Sequence, residues 1–277
     1  MTTISIQGDK ASFHDIAAMQ FFDTSDRVYC TTFKETFAAL DSGASDYALC
    51  AIENSLYGSI NEVYGLLLES GYYIFGEVYL RIEQCLIATP GTKIADIQSV
   101  YSHPVALAQC EPYLATHLPK AALIEYHDTA ASVEFVKQQN NPTVAAIASS
   151  EAARLHGMEV IAASIETNKQ NYTRFVALSK TADSMRTNTT KTSFVLTTSH
   201  QAGALHAALG CFTRRSINLS KLQSQPIIGQ AWNYMFYIDI DAGIDTPVAT
   251  ESFEELERQG CTITILGSYI AAPTQGI

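Results

Sequence analysis

Asn171-Tyr172-Thr173-Arg174-Phe175-Val176-Ala177-Leu178 sets a carboxamide, a hydroxyl and a guanidinium directly before an unbroken apolar run. The run reads as a buried strand and its polar head as the strand's lip. Strand alternation puts Thr173 and Phe175 on one face and Arg174 on the other. Thr173 and Arg174 reach a common pocket only if the backbone turns at the lip. Arg offers a planar fork for a carboxylate, and Thr offers one hydroxyl proton. A surface arginine on an edge strand is the plain alternative, and the flanking sequence has to decide between them.

Upstream, short strands alternate with helices. Thr3 to Gln7 reads as a strand, Gly8 to Ser12 as a turn, and Phe13 to Phe22 as a helix capped by Ser12 or Asp9. Tyr47 to Ile52 is a buried strand running into Glu53-Asn54-Ser55 and then Gly58. Polar residues placed directly after a strand are where α/β sheets carry ligand contacts. The same pattern recurs at Ser102-His103 before a helix over 105–114, at Thr129, and at Ser149-Ser150. His103 beside Pro104 reads as a helix cap or as an acid–base group. Repeated strand–helix alternation over residues 1–178 predicts an α/β domain with mostly parallel sheets. If it is two-lobed, its polar tips converge on a cleft for a small ligand.

Downstream the rhythm changes. A polar stretch over 181–192 reads as a linker. Then come a strand over 193–198, a helix over 203–212, strands over 217–224 and 234–240, a helix over 250–259 and a last strand over 261–270. That is βαββαβ, the ferredoxin-like order.

Composition narrows the function classes. The chain has 277 residues, 47% of them hydrophobic and 16% charged, which suits two globular domains. Its formal charge of -11 argues against nucleic acid and anionic membranes as partners. An anionic substrate remains compatible, since helix N-termini make positive pockets in acidic proteins. Six cysteines without a C-x-x-C pair suggest reduced thiols in a cytoplasm, and no metal site. The opening Met1-Thr2-Thr3-Ile4-Ser5-Ile6 reads as a strand rather than a signal peptide, and no apolar run is long enough to span a membrane.

An ordered set of short motifs resembles the prephenate dehydratase family with a C-terminal ACT regulatory domain. It comprises Ala51-Ile52-Glu53-Asn54-Ser55 with Gly58, Ser102-His103-Pro104 with Gln109-Cys110, Asp128-Thr129-Ala130, Ala145 to Ala148, Asn171 to Phe175, Gly203-Ala204-Leu205, and Gln223-Ser224-Gln225-Pro226. The resemblance implies two α/β lobes like those of periplasmic binding proteins, over 1–180. Lobe one would hold 1–76 and 160–180, lobe two 77–159, and the ACT domain 193–277. Two positions depart from the family pattern. The turn has Ala11 where the family carries a second glycine, and the effector motif Glu-Ser-Arg-Pro has become Gln223-Ser224-Gln225-Pro226, losing both charges.

The implied reaction is the loss of CO2 and hydroxide from prephenate to give phenylpyruvate, on the way to phenylalanine. Aromatisation drives it, so neither a metal nor an organic cofactor is needed. The family gives the central role to Thr173, read here as a positioned hydrogen-bond donor to the departing oxygen. Arg174, Asn54, Ser55, Ser12 and Phe175 are the candidate substrate-binding residues. Gly203, Ala204, Leu205, Gln223, Ser224 and Pro226 are those for the effector L-phenylalanine. A homodimer or homotetramer is expected by resemblance. Arogenate dehydratase and a non-catalytic amino-acid sensor are the alternatives. A fused chorismate mutase is not expected, because no long helical segment precedes the first strand.

Overall fold

The computed structural model describes residues 2–23, 25–182, 188–230 and 232–273. Strand β1 (Thr3–Gln7) leads to α1 (Phe13–Phe22), and β2 (Asp26–Cys30) to α2 (Phe33–Ser42). Next, β3 (Tyr47–Asn54) passes through the short β4 (Gly58–Ser59) to α3 (Asn61–Ser70) and β5 (Tyr73–Arg81). The middle of the chain forms β6 (Cys85–Ala88), β7 (Ser99–Ser102), α4 (Pro104–Gln109), α5 (Glu111–His117), β8 (Ala122–Glu125), α6 (Thr129–Gln139), β9 (Val144–Ala148), α7 (Ser150–His156) and β10 (Glu159–Ala162). Strand β11 (Tyr172–Ser179) then joins the first sheet, whose order is β2-β1-β3-β11-β5 with β4 paired to β3. A second sheet has the order β10-β6-β9-β7-β8.

Parallel pairing of β1 with β2 and β3, and of β7 with β8 and β9, follows from the helical crossovers between them. Strands β6 and β10 pair antiparallel at the other side of the second sheet. Both faces of this sheet are covered, so its strands are apolar on both sides. Leu86, Ala145 and Ile147 face one cluster with Leu107 and Leu114; Ile87, Ala146 and Ala148 face another with Val133 and Val136. The sheet extends to Ala162 through β10, three residues into the stretch expected to start the return to lobe one.

The helix expected over 105–114 is two helices. Pro112 has no N–H to donate to the Ala108 carbonyl four residues back, and its ring crowds that carbonyl, so the chain resets at Cys110 (φ -104°, ψ 3°).

The last part of the chain has β12 (Lys191–Thr197), α8 (Ala204–Thr213), β13 (Leu219–Pro226), β14 (Tyr234–Ile240), α9 (Pro247–Arg258) and β15 (Thr262–Tyr269). Their antiparallel sheet, ordered β13-β14-β12-β15, is ferredoxin-like. Phe194 and Leu196 of β12 pack with Phe212, Ile238 and Leu256 beneath the two helices. Of the expected linker, 183–187 lie outside the described residues, and its last two positions belong to β12.

By compactness the chain divides into Met1–Val63 with Val78–Phe175, and Tyr64–Glu77 with Val176–Pro273. Residues 64–76, expected in the first lobe, thus group with the ferredoxin-like sheet. Within that second unit Tyr64 packs on Tyr237 at 4.3 Å between ring centroids, and the Lys221 ammonium lies 5.5 Å from the Tyr64 ring. Glu77, fully buried, takes a 2.7 Å ion pair from Lys191 and the Ala272 N–H at 3.1 Å.

Candidate active site

Within the first unit a cavity of about 590 Å³ collects the polar tips of both sheets. Asn54, at the end of β3, is its organising side chain. Its Oδ1 accepts from the N–H groups of Leu56 (3.0 Å) and Tyr57 (3.1 Å), an Asx turn that fixes the amide. Its Nδ2 therefore points to β11, donating to Asn171 Oδ1 at 2.8 Å, Tyr172 O at 3.2 Å and Thr173 Oγ1 at 3.0 Å. Because Thr173 Oγ1 accepts from Asn54, its own proton is available to a partner in the cavity it lines.

Strand alternation persists through the lip. Thr173 and Phe175 line the cavity; Arg174 does not. The guanidinium lies 3.9 Å from the Glu53 carboxylate and is buried. Ser55 is likewise absent from the lining. Its hydroxyl donates to Gln170 O (2.9 Å) and accepts from Tyr172 N–H (3.0 Å), stitching β3 to β11. Ser12 does line the cavity, with its oxygen capping α1 through the Asp15 N–H at 3.3 Å. The structure thus gathers Thr173, Asn54, Phe175 and Ser12, and leaves Arg174 and Ser55 as supports of the strand ends.

Among the described residues lining the cavity there is no lysine or arginine. Instead the capped N-termini of α1, α2 and α6 open onto it, at Ser12, Thr32 and Asp128. A helix N-terminus carries roughly half a positive charge, which favours an anion. Asp128 spends its Oδ1 on the Ala131 N–H, and burial raises its pKa. His103 caps α4 through the Val105 N–H at 3.3 Å, and burial lowers its pKa against the pull of Asp128 and Glu125.

His14 and Gln84 line the same cavity, although no periodicity or motif marks either of them in the sequence. His14 is half-buried, and desolvation lowers its pKa to about 3. Its Nε2 accepts from the Ala51 N–H at 3.2 Å, so the neutral ring carries its proton on Nδ1. The ring meets Phe175 edge-on, 5.0 Å between centroids. The turn below keeps its glycine-like geometry: Ala11 takes φ 65°, and its carbonyl accepts from Ser149 Oγ at 3.0 Å. Gly8, at φ 93°, leaves no room for a side chain, since a Cβ would lie 2.9 Å from the Asp128 carboxylate.

Of the residues expected to hold an effector, Gly203 caps α8 at φ 84°. Ala204 and Leu205 line a smaller cavity of about 170 Å³ with His200, Asn233 and Tyr234. Gln223, Ser224 and Pro226 are not in that cavity. They lie on the edge strand β13, in register with Tyr237, Phe236 and Tyr234 of β14. No cluster of three His, Cys, Asp or Glu side chains able to hold a metal ion occurs among the described residues, nor a helix long and apolar enough to cross a membrane.

Fold and site together define a two-lobed α/β domain with a small-molecule cavity suited to an anion, followed by a ferredoxin-like domain. The prephenate dehydratase family model matches residues 4–183. A bifunctional chorismate mutase/prephenate dehydratase of Escherichia coli (strain K12) is 34% identical over 96% of this chain and 70% of its own. An arogenate dehydratase/prephenate dehydratase of Arabidopsis thaliana is also 34% identical, over 96% of this chain and 72% of its own. Among solved structures, a prephenate dehydratase from Arthrobacter aurescens in complex with L-Phe superposes with a TM-score of 0.86 at 30% identity, covering 97% of this chain and 90% of its own. A protein described as a novel type of quorum quenching acylase superposes with a TM-score of 0.85 at 30% identity over 99% of both chains. The chain belongs to the prephenate dehydratase family.

Proposed function

We propose that this protein is a hydro-lyase converting prephenate to phenylpyruvate, CO2 and water, with Thr173 as the catalytic residue. The observation that carries this is the Asn54 amide donating to Thr173 Oγ1, which frees the hydroxyl proton for the substrate. The C–C bond to the ring carboxylate breaks, and its electron pair enters the ring. The ring becomes aromatic as the C4 hydroxyl leaves with its electrons, and a proton taken up by that oxygen makes water. Thr173 donates a hydrogen bond to the departing oxygen, where negative charge develops. The helix N-termini at Ser12, Thr32 and Asp128 hold the carboxylates, taking the place expected of Arg174. Phe175 and His14 form an apolar wall against the ring. The test is ultraviolet detection of phenylpyruvate after mixing purified protein with prephenate, beside a parallel incubation with arogenate assayed for phenylalanine. Turnover of neither substrate overturns the reading.

The ferredoxin-like domain is read as an ACT domain that binds L-phenylalanine, in a homodimer or homotetramer. A family structure complexed with L-Phe and the glycine cap of α8 support this.

A further inference from the structure

Gln84 is 2% exposed, and its carboxamide oxygen has no hydrogen-bond partner although the residue lines the main cavity. Everything else about it is fixed. Its N–H donates to the buried Glu166 carboxylate at 2.9 Å, and its carbonyl accepts from Ile165 N–H at 2.8 Å. Its Nε2 donates to Gln109 Oε1 at 3.1 Å. The Gln109 backbone oxygen is held in turn by the N–H and hydroxyl of Thr167. A buried acceptor left unpaired costs about 1–3 kcal/mol, so an orphan in a rigid frame beside a cavity marks a ligand contact.

The two substrates named among the relatives differ at one side-chain carbon: prephenate carries a keto oxygen there, and arogenate an ammonium group and a hydrogen, beside the side-chain carboxylate. A keto oxygen needs a donor, and an ammonium needs an acceptor. A carboxamide supplies either, because its oxygen and nitrogen exchange places on a half-turn of the last bond. In the orientation seen, Gln84 Oε1 is free to accept from an ammonium. With both amides turned, Gln109 Nε2 donates to Gln84 Oε1, and Gln84 Nε2 faces the position Oε1 had held.

We propose that Gln84 is the residue with which this site reads the keto or amino substituent of its substrate, so that one active site accepts both. This rests on the dehydratase reading above. The test measures kcat/KM for prephenate and for arogenate in the wild type, Gln84→Glu and Gln84→Met. Glutamate is a fixed acceptor with negative charge; it should raise the arogenate-to-prephenate ratio by about tenfold. Methionine keeps the length but offers no polar partner. It leaves an ammonium worse matched than a keto group, so the ratio should fall by about tenfold. Opposite movement in the two variants is the signature, and a general loss of fold or of turnover does not produce it. An active wild type with a ratio that stays within about twofold in both variants, against a tenfold step of 1.4 kcal/mol, overturns the role of Gln84 alone. A wild type inactive on both substrates overturns the dehydratase reading, and this inference with it.

Discussion

The side-chain amide of Asn54 donates to the hydroxyl oxygen of Thr173 at 3.0 Å, across 119 residues of chain. This bond gives the two residues different duties. Asn54, tied by its own oxygen to Leu56 and Tyr57, orients; Thr173 donates.

Replacing Thr173 by Ala removes that donor from a site 8% exposed, with little change to the strand. Turnover of prephenate should fall by about a hundredfold or more, as for other lost oxyanion donors. Thr173→Ser keeps the hydroxyl and should retain most of the rate. Steady-state formation of phenylpyruvate separates the two, and equal losses in both variants would remove Thr173 from the chemistry.

Asn54→Asp preserves shape and the turn to Leu56 and Tyr57, but a carboxylate cannot donate. The Thr173 proton would then be drawn to the new acceptor and away from the cavity. We expect kcat to drop at least about tenfold and the thermal midpoint to fall as well, since the Asx turn survives but the new carboxylate faces the Tyr172 carbonyl. Kinetics and a melting curve on the same preparation check this.

His14 supplies a pH dependence of stability. Its folded pKa, about 3, lies below the ordinary 6.5. Above pH 6.5 the ring is neutral in both states and contributes nothing to the balance. Below it, the unfolded chain takes up a proton that the folded one refuses, so stability falls as pH drops toward 3. The slope reaches about 1.4 kcal/mol per pH unit. His14→Gln retains an acceptor for the Ala51 N–H and should flatten that part of the profile. Urea unfolding of both proteins at pH 7 and pH 5 measures the difference.

The Glu77–Lys191 pair should respond asymmetrically. Lys191→Met removes the 2.7 Å cation from a carboxylate that is 0% exposed, for a loss of about 3–5 kcal/mol. Adding Glu77→Gln removes the cost of burying that carboxylate and should restore much of that stability. Chemical denaturation of the single and double variants tests it, and additive losses would contradict it.

Phenylalanine should inhibit, and Gly203→Val should raise the concentration needed. A Cβ at Gly203 meets nothing within 4 Å, so the obstacle is the backbone: φ 84° is strained for valine, and the start of α8 must shift. Calorimetry with phenylalanine on the wild type is the direct measurement. No binding at millimolar concentration would assign this domain to assembly or to another ligand.

The order of elements was legible in the sequence because it rests on local patterns. Alternating apolar runs, the cap at Ser12, and the βαββαβ rhythm after residue 190 each depend on neighbours a few residues apart. Thr173 and Asn54 were legible too, as polar residues at strand ends. Which way Arg174 turned was not: strand alternation and a turn at the lip were both open, and pairing with Glu53 on the neighbouring strand decided it. Nor could the sequence show that residues 64–77 group with the ferredoxin-like sheet, since that depends on Tyr64 meeting Tyr237 and Glu77 meeting Lys191. His14 and Gln84 belong to the same class. A histidine in a first helical turn and a glutamine between two strands look ordinary in a sequence. Only the tertiary structure made them parts of a site, by removing water from one and leaving the other a buried oxygen with nothing to accept.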